Sequence, residues 1–157
     1  PGLSRSIGRR FGIEAYVVPV PDSSTEIERL EQVARTTAKL IGSWFDSDMV
    51  LAIAWGTTRA AVGRHLSAKP TRGSAIVQLN GAANTRTSGF EYASDLITSF
   101  GAAFDAAVHH FPVPAFFDYR ETKDAMWRER SVMRVLDVQR RADIALFGVG
   151  ALHGGVP

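Results

Sequence analysis

Residues 50–58, Val-Leu-Ala-Ile-Ala-Trp-Gly-Thr-Thr, are the stretch best suited to chemistry. An unbroken apolar run carries through Trp55, stops at Gly56, and is followed by two hydroxyls, Thr57 and Thr58. Arg59, Ala60, Ala61 and Val62 then favour a helix. The pattern is a buried strand, a tight glycine turn and a helix start. A helix N-terminus has unpaired N–H groups and a partial positive charge, so the turn suits a phosphate or carboxylate. A plainer role is also open, in which Gly56 makes the turn and a threonine hydroxyl caps the helix. The two roles are compatible, since one hydroxyl can cap while the loop N–H groups hold an anion.

Two further glycine turns follow apolar runs. Asn80-Gly81 closes the run at 75–79, with Gln78 beside it and Asn84 further along the loop. Side-chain amides offer donors and an acceptor, which suits them to orienting sugar hydroxyls; alternatively Asn80 serves the local backbone. Gly148-Val-Gly150 closes the run at 143–149. It fails as a dinucleotide fingerprint, because position 153 is His153 rather than glycine and no helix pattern follows.

Other chemistries find little support. There is no cysteine, which excludes disulfides, thiolate metal sites and a cysteine nucleophile. His109 and His110 are adjacent in a strand pattern and so face opposite sides, while His65 and His153 stand alone. No metal site and no cofactor are expected. Asp95, Asp105 and Asp118 are candidate general bases, but no pair has a recognisable spacing and there is no Gly-x-Ser-x-Gly elbow, so no catalytic residue is assigned. Arg128, Arg130, Arg134, Arg140 and Arg141 alternate with Val132, Val135 and Leu136, as on a solvated helix face rather than a nucleic-acid patch.

The elements that must position these turns can be read from periodicity. Residues 13–20 are β-branched and end at proline, predicting a first strand. Thr25 and Glu28 match a capping box, and Ile27, Leu30, Val33, Ala34, Ala38, Ile41 and Phe45 recur at helical spacing, predicting a helix over 26–45. Strands are expected at 49–54, 75–79, 106–111 and 143–149. Helices are expected from the glycine turn to about 67, over 91–104, and once or twice within 122–140; 112–119 is irregular. Five short strands alternating with helices, the inner ones apolar throughout, imply a parallel sheet covered on both faces. In such sheets ligands bind beyond the carboxyl ends of the strands, where all three glycine turns fall.

The chain has 157 residues, enough for one domain with a real core. A net charge of +2 is too mild to argue that this segment binds nucleic acid. The N-terminus has no apolar signal region, and Asp105, His109, His110, Pro112 and Pro114 break the most apolar later stretch, so no membrane association is expected.

Five blocks, in order, carry a resemblance. They are Arg10-Phe-Gly-Ile-Glu-Ala-Tyr-Val-Val-Pro19, Ile53-Ala-Trp-Gly-Thr-Thr58, Val77-Gln-Leu-Asn-Gly81, His110-Phe-Pro-Val-Pro-Ala-Phe-Phe117 and Arg140-Arg-Ala-Asp-Ile-Ala-Leu-Phe-Gly-Val-Gly150. Together they resemble the effector-binding domain of the SorC family of bacterial transcription regulators, which includes sorbitol-type and deoxyribonucleoside-type members. The resemblance implies a Rossmann-like three-layer α/β domain, similar to sugar-phosphate isomerases and deaminases, that senses a sugar or phosphosugar. Carried over by position, Trp55, Gly56, Thr57 and Thr58 form the phosphate cradle. Gln78, Asn80, Gly81 and Asn84 form a second wall, and Gly148 and Gly150 border a third. It further implies that residues 1–157 are a fragment, lacking a DNA-binding helix-turn-helix region before Pro1 and a last portion with a further strand and a basic ligand contact. DNA would then be a partner only through that missing region, and the parent protein would be a cytoplasmic homo-oligomer. The alternative is an isomerase- or deaminase-like enzyme on the same fold.

Overall fold

The computed structural model describes residues 2–81 and 90–150. Helix α1 (Gly2–Phe11) and helix α2 (Glu26–Trp44) precede strand β1 (Val50–Ile53). Then come α3 (Thr57–Arg64), β2 (Ala75–Gln78), α4 (Phe90–Phe104), β3 (Ala107–His109), α5 (Arg120–Met126), α6 (Arg130–Arg140) and β4 (Ile144–Leu146). The strands form one sheet in the order β3-β2-β1-β4, and every pairing is parallel. Leu51, Ala52 and Ile53 of β1 lie opposite Ile76, Val77 and Gln78 on one side and Ile144, Ala145 and Leu146 on the other.

Side chains alternate across this sheet, as the pleat requires. Leu51, Ile53 and Ile76 face a core built with Ala34, Ala38, Ile41 and Phe45 of α2, Ala61 and Val62 of α3, and Phe100 and Phe104 of α4. Ala52 and Val77 face the opposite core, made with Phe111, Val113 and the α6 valines Val132, Val135 and Val138. The result is the three-layer α/β arrangement that the sequence implied, with β1 at its centre. The α2 capping box forms as expected: Glu28 N–H donates to the Thr25 hydroxyl, and Thr25 N–H donates to the Glu28 carboxylate at 2.8 Å. The segment 122–140 resolves into two helices.

One element departs from expectation. Residues 13–20 form no strand and pair with none, and a helix, α1, stands before them, so the sheet has four strands among the described residues rather than five. Ile13, Tyr16 and Val17 are exposed, and Val17 N–H donates to the Ser4 hydroxyl at 3.2 Å instead of to a ladder carbonyl. β-Branched residues fit an extended backbone, but the pairing partner is supplied by tertiary structure, and Pro19 removes a donor from the run.

Helices α2 and α3 are also tied by charge. The Glu31 carboxylate accepts from Arg64 at 2.7 Å and pairs closely with the His65 ring. These contacts, His65 first and then Arg64, hold the Glu31 carboxyl below its ordinary pKa. A carboxyl lowered on folding contributes stability above its unfolded pKa, and that contribution is lost as pH falls through the folded value. The wild type is therefore expected to outlast Glu31→Gln to urea at pH 6, with the gap closing as the pH is taken below the ordinary carboxylate range. A gap independent of pH would show that the pair adds nothing through charge.

Candidate functional site

The three glycine turns stand at the carboxyl ends of β1, β2 and β4. Past Ile53 the backbone stays tied to both neighbours: Ala54 N–H donates to Leu146 O and Leu79 N–H to Ile53 O, each at 2.9 Å. The chain then reverses at Gly56, whose φ of 150° belongs to a region that side chains rarely adopt. Gly56 is the N-cap of α3, and Thr57 and Thr58 are its first two residues. As N-cap, Gly56 has no side chain with which to cap this helix. Thr57 is exposed and Thr58 half-buried, and the helix-start N–H groups have no partner inside α3 by the geometry of any α-helix.

The residue that sequence reasoning missed here is Arg59. Its side chain folds back over the turn, Nε donating to Ala54 O at 3.1 Å and a terminal nitrogen donating to Trp55 O. A Cβ on Gly56 would lie 1.8 Å from the Arg59 guanidinium, and one on Gly148 would lie 2.2 Å from it. The guanidinium thus fills the space between the first and third turns, against both glycines. One signal was available. A cation in the first turn of a helix opposes the helix dipole, so an arginine at this position calls for carbonyls or an anion beside it.

The second wall is a net of amides. Trp55 N–H donates to the Asn80 side-chain oxygen at 3.2 Å, and the Trp55 indole donates to Gly81 O at 2.6 Å. Gln78 is buried; its amide donates to Asn80 O at 2.7 Å and accepts from Phe111 N–H at 3.2 Å. Gln139 of α6 donates to the backbone oxygens of Gln78 and Leu79. Trp55, Gln78 and Asn80 therefore spend polar groups on joining the β1 and β2 ends and the 111 segment. A Cβ on Gly81 would meet the carbonyl oxygens of Pro114 and Val113 at 2.1 and 2.3 Å. Gly150 is exposed with open space around it. Asn84 lies outside the described residues.

The other candidates are not drawn to the strand ends. Asp143 holds Val50, accepting from its N–H at 2.8 Å and donating to its carbonyl at 2.9 Å. Asp95, Asp105 and Asp118 are exposed. No group of three or more metal-ligating side chains exists among the described residues. No helix there is long and apolar enough to cross a membrane.

Against this geometry the likeness to known proteins can be set. A family model described as "Putative sugar-binding domain" matches residues 2–156. The chain belongs to this sugar-binding domain family. A domain of a "possible sugar-binding transcriptional regulator" from Arthrobacter aurescens TC1 is 50% identical, covers 92% of this chain and 57% of its own, and superposes with a TM-score of 0.89. The full-length sorbitol operon regulator SorC of Klebsiella pneumoniae shares the fold at a TM-score of 0.81, with 17% identity over 92% of this chain and 47% of its own. The deoxyribonucleoside regulator of Bacillus subtilis (strain 168) is 27% identical over 155 residues, 96% of this chain and 48% of that protein. The sugar-binding domain thus spans about half the length of the curated relative it matches. The resemblance to SorC-type regulator domains is borne out, and with it the parallel α/β fold.

The backbone contact at Gly81 makes a sharp prediction for this domain. Gly81→Ala must push apart the 79–81 and 113–115 segments and is expected to cost about 1–3 kcal/mol in urea unfolding, the usual range for overpacking. An unchanged midpoint would show that the two loops do not touch as described.

Proposed function

We propose that this domain is the ligand sensor of a transcription regulator and that it binds a phosphorylated sugar at the carboxyl ends of β1, β2 and β4. One observation carries the reading: the start of α3, with a glycine rather than a capping side chain at its N-cap, stands with the Arg59 guanidinium between the Gly56 and Gly148 turns, beside the Asn80–Gly81 wall. Helix-start N–H groups and a guanidinium together suit a phosphate better than a neutral sugar, because both present donors and positive potential to one point. Thr57 and Thr58 add hydroxyl donors at the same place. Membership of the sugar-binding domain family, and relatives named as regulators, support a sensing role.

An enzymatic reading needs a carboxylate base near the sugar. Asp143 is committed to Val50, and Asp95, Asp105 and Asp118 are exposed, so the described carboxylates favour sensing over turnover. On this reading the parent protein carries its DNA contacts elsewhere, works in the cytoplasm, and transmits ligand occupancy through an assembly of copies. Exposed apolar side chains such as Leu3, Phe11, Ile13 and Trp44 support a self-contact.

A panel of sugar phosphates at about a hundred times their dissociation constants should stabilise the protein by about 2.7 kcal/mol, which raises Tm by roughly 5–10 °C. No shift with any of them would defeat the proposal. Two variants locate the anion. Thr57→Asp places a carboxylate in the first turn of α3, which helices tolerate well, yet it should weaken phosphosugar binding about tenfold or more. Arg59→Met should weaken it about tenfold to a hundredfold, the worth of a charge-assisted hydrogen bond. Unchanged affinity in both would mean that the phosphate lies elsewhere.

A further inference from the structure

A second opening adjoins the strand ends. It is a cleft of about 510 Å³ that shares Asn80 and Gly81 with the sugar wall and is otherwise built from the 111–117 segment and α5. The volume is that of a small-molecule site. Its floor is aromatic. The Trp127 indole is held edge-to-face by Phe111 and Phe117, with ring centroids 5.6 and 5.7 Å away. Its rim is cationic: Lys123 Nζ stands 5.2 Å from the Trp127 ring centroid, and Arg120 lines the same opening. Phe116 also lines it and is 63% exposed.

These features are poorly matched to a sugar. Sugar hydroxyls need directional polar partners, whereas apart from Asn80, whose side-chain oxygen accepts from Trp55 N–H, this lining is rings, Leu79, Gly81, Val113, Pro114 and Ala115, with Arg120 and Lys123 beside them. Rings held rigidly edge-to-face, with an exposed phenyl and two cations at the mouth, suit a flat π-system that is electron-rich or anionic. Stacking of this kind tolerates different rings, since each has a π-face. Phe111 and Phe117 are explained by packing on Trp127 and the second core. Phe116 is not, because most of its ring faces solvent.

We propose that this cleft receives a planar aromatic group attached to the sugar, so that the preferred effector is a phosphosugar bearing an aromatic ring rather than a plain one. The wall shared at Asn80–Gly81 gives the direction: phosphate at the start of α3, sugar across the amides, ring among the aromatics. The proposal rests on the strand-end reading for the phosphate and sugar, but the cleft itself can be tested apart from it.

Three probes separate the parts by calorimetry or tryptophan fluorescence: ribose 5-phosphate, adenosine 5′-monophosphate, and naphthalene-2-sulfonate, which has a ring and a charge but no sugar. The nucleotide is expected to bind about tenfold or more tightly than ribose 5-phosphate. Phe116→Ala, at an exposed position, should abolish that difference and weaken the sulfonate while leaving ribose 5-phosphate unchanged. Thr57→Asp should weaken both phosphosugars and spare the sulfonate. Equal affinity for nucleotide and ribose 5-phosphate, or indifference of nucleotide and sulfonate to Phe116→Ala, overturns the proposal. Sulfonate binding that Phe116→Ala removes, with no phosphosugar bound, sustains the cleft and overturns the strand-end reading.

Discussion

The carboxyl end of β1 is the constraint on which the strand-end site depends. This strand is bonded on both sides and buried on both faces, so its end can only leave the sheet forward, into the turn at Gly56. The carbonyls of Ala54 and Trp55, released from the ladder, must then find donors, and Arg59 supplies them. That single side chain explains several other features. It holds a positive charge at the start of α3, where the helix dipole would otherwise repel it. It also occupies the volume that side chains at 56 and 148 would need. Two glycines far apart in sequence thus lie against one guanidinium, which sits between the first and third turns.

The amide net does comparable work between the first and second turns. Gln78, Asn80, Gln139 and Trp55 exchange hydrogen bonds among themselves and with the backbone, and no buried side-chain polar atom among the described residues lacks a partner. A satisfied buried network fixes geometry, because each broken member would leave a desolvated group unpaired. The wall beside the proposed sugar is therefore rigid. Its polar groups are largely turned toward the protein, which leaves the α3 start and Arg59 as the features that distinguish an anion.

Much of this was legible before the fold was known. The α2 helix and its capping box follow from local spacing, and the inner strands from unbroken apolar runs ending in glycine turns, because those features are encoded within a few residues. The unpaired segment 13–20 was misread because β-branched residues specify an extended backbone, whereas a ladder needs a neighbour that no local pattern announces. Arg59 was passed over as a helix former, since its role arises only when the chain folds it back onto the carbonyls before the turn. Gln78 stands at a strand end, where the resemblance implies a sugar wall, and its amide is bonded within the protein. Its neighbour in space, Phe111, is distant in sequence, and that contact is what turns the amide inward. The aromatic cleft was invisible for the same reason: Asn80, Phe116 and Trp127 meet only after β2 and the 111–117 segment are placed side by side.

The arrangement also bears on why such a site would report a ligand rather than transform one. Its three turns belong to separate strands: the Asn80 amide on the Trp55 N–H and the Trp55 indole on the Gly81 carbonyl join the first two, while the Arg59 guanidinium ties α3 to the carbonyls of the β1 turn beside Gly148. An anion arriving at the start of α3 would share Arg59 with those carbonyls and so alter how firmly the β1 turn is tied to Gly148. Couplings of about 1–3 kcal/mol suffice for regulation, which is the scale of one or two such hydrogen bonds. Catalysis on a sugar demands more, since a base must sit within hydrogen-bond reach of the proton it removes. Among the described carboxylates, Asp143 holds Val50 and Glu31 holds α3. On the proposed reading, the chemistry gathered at the strand ends is that of donors and positive charge, which suits holding an anion in place.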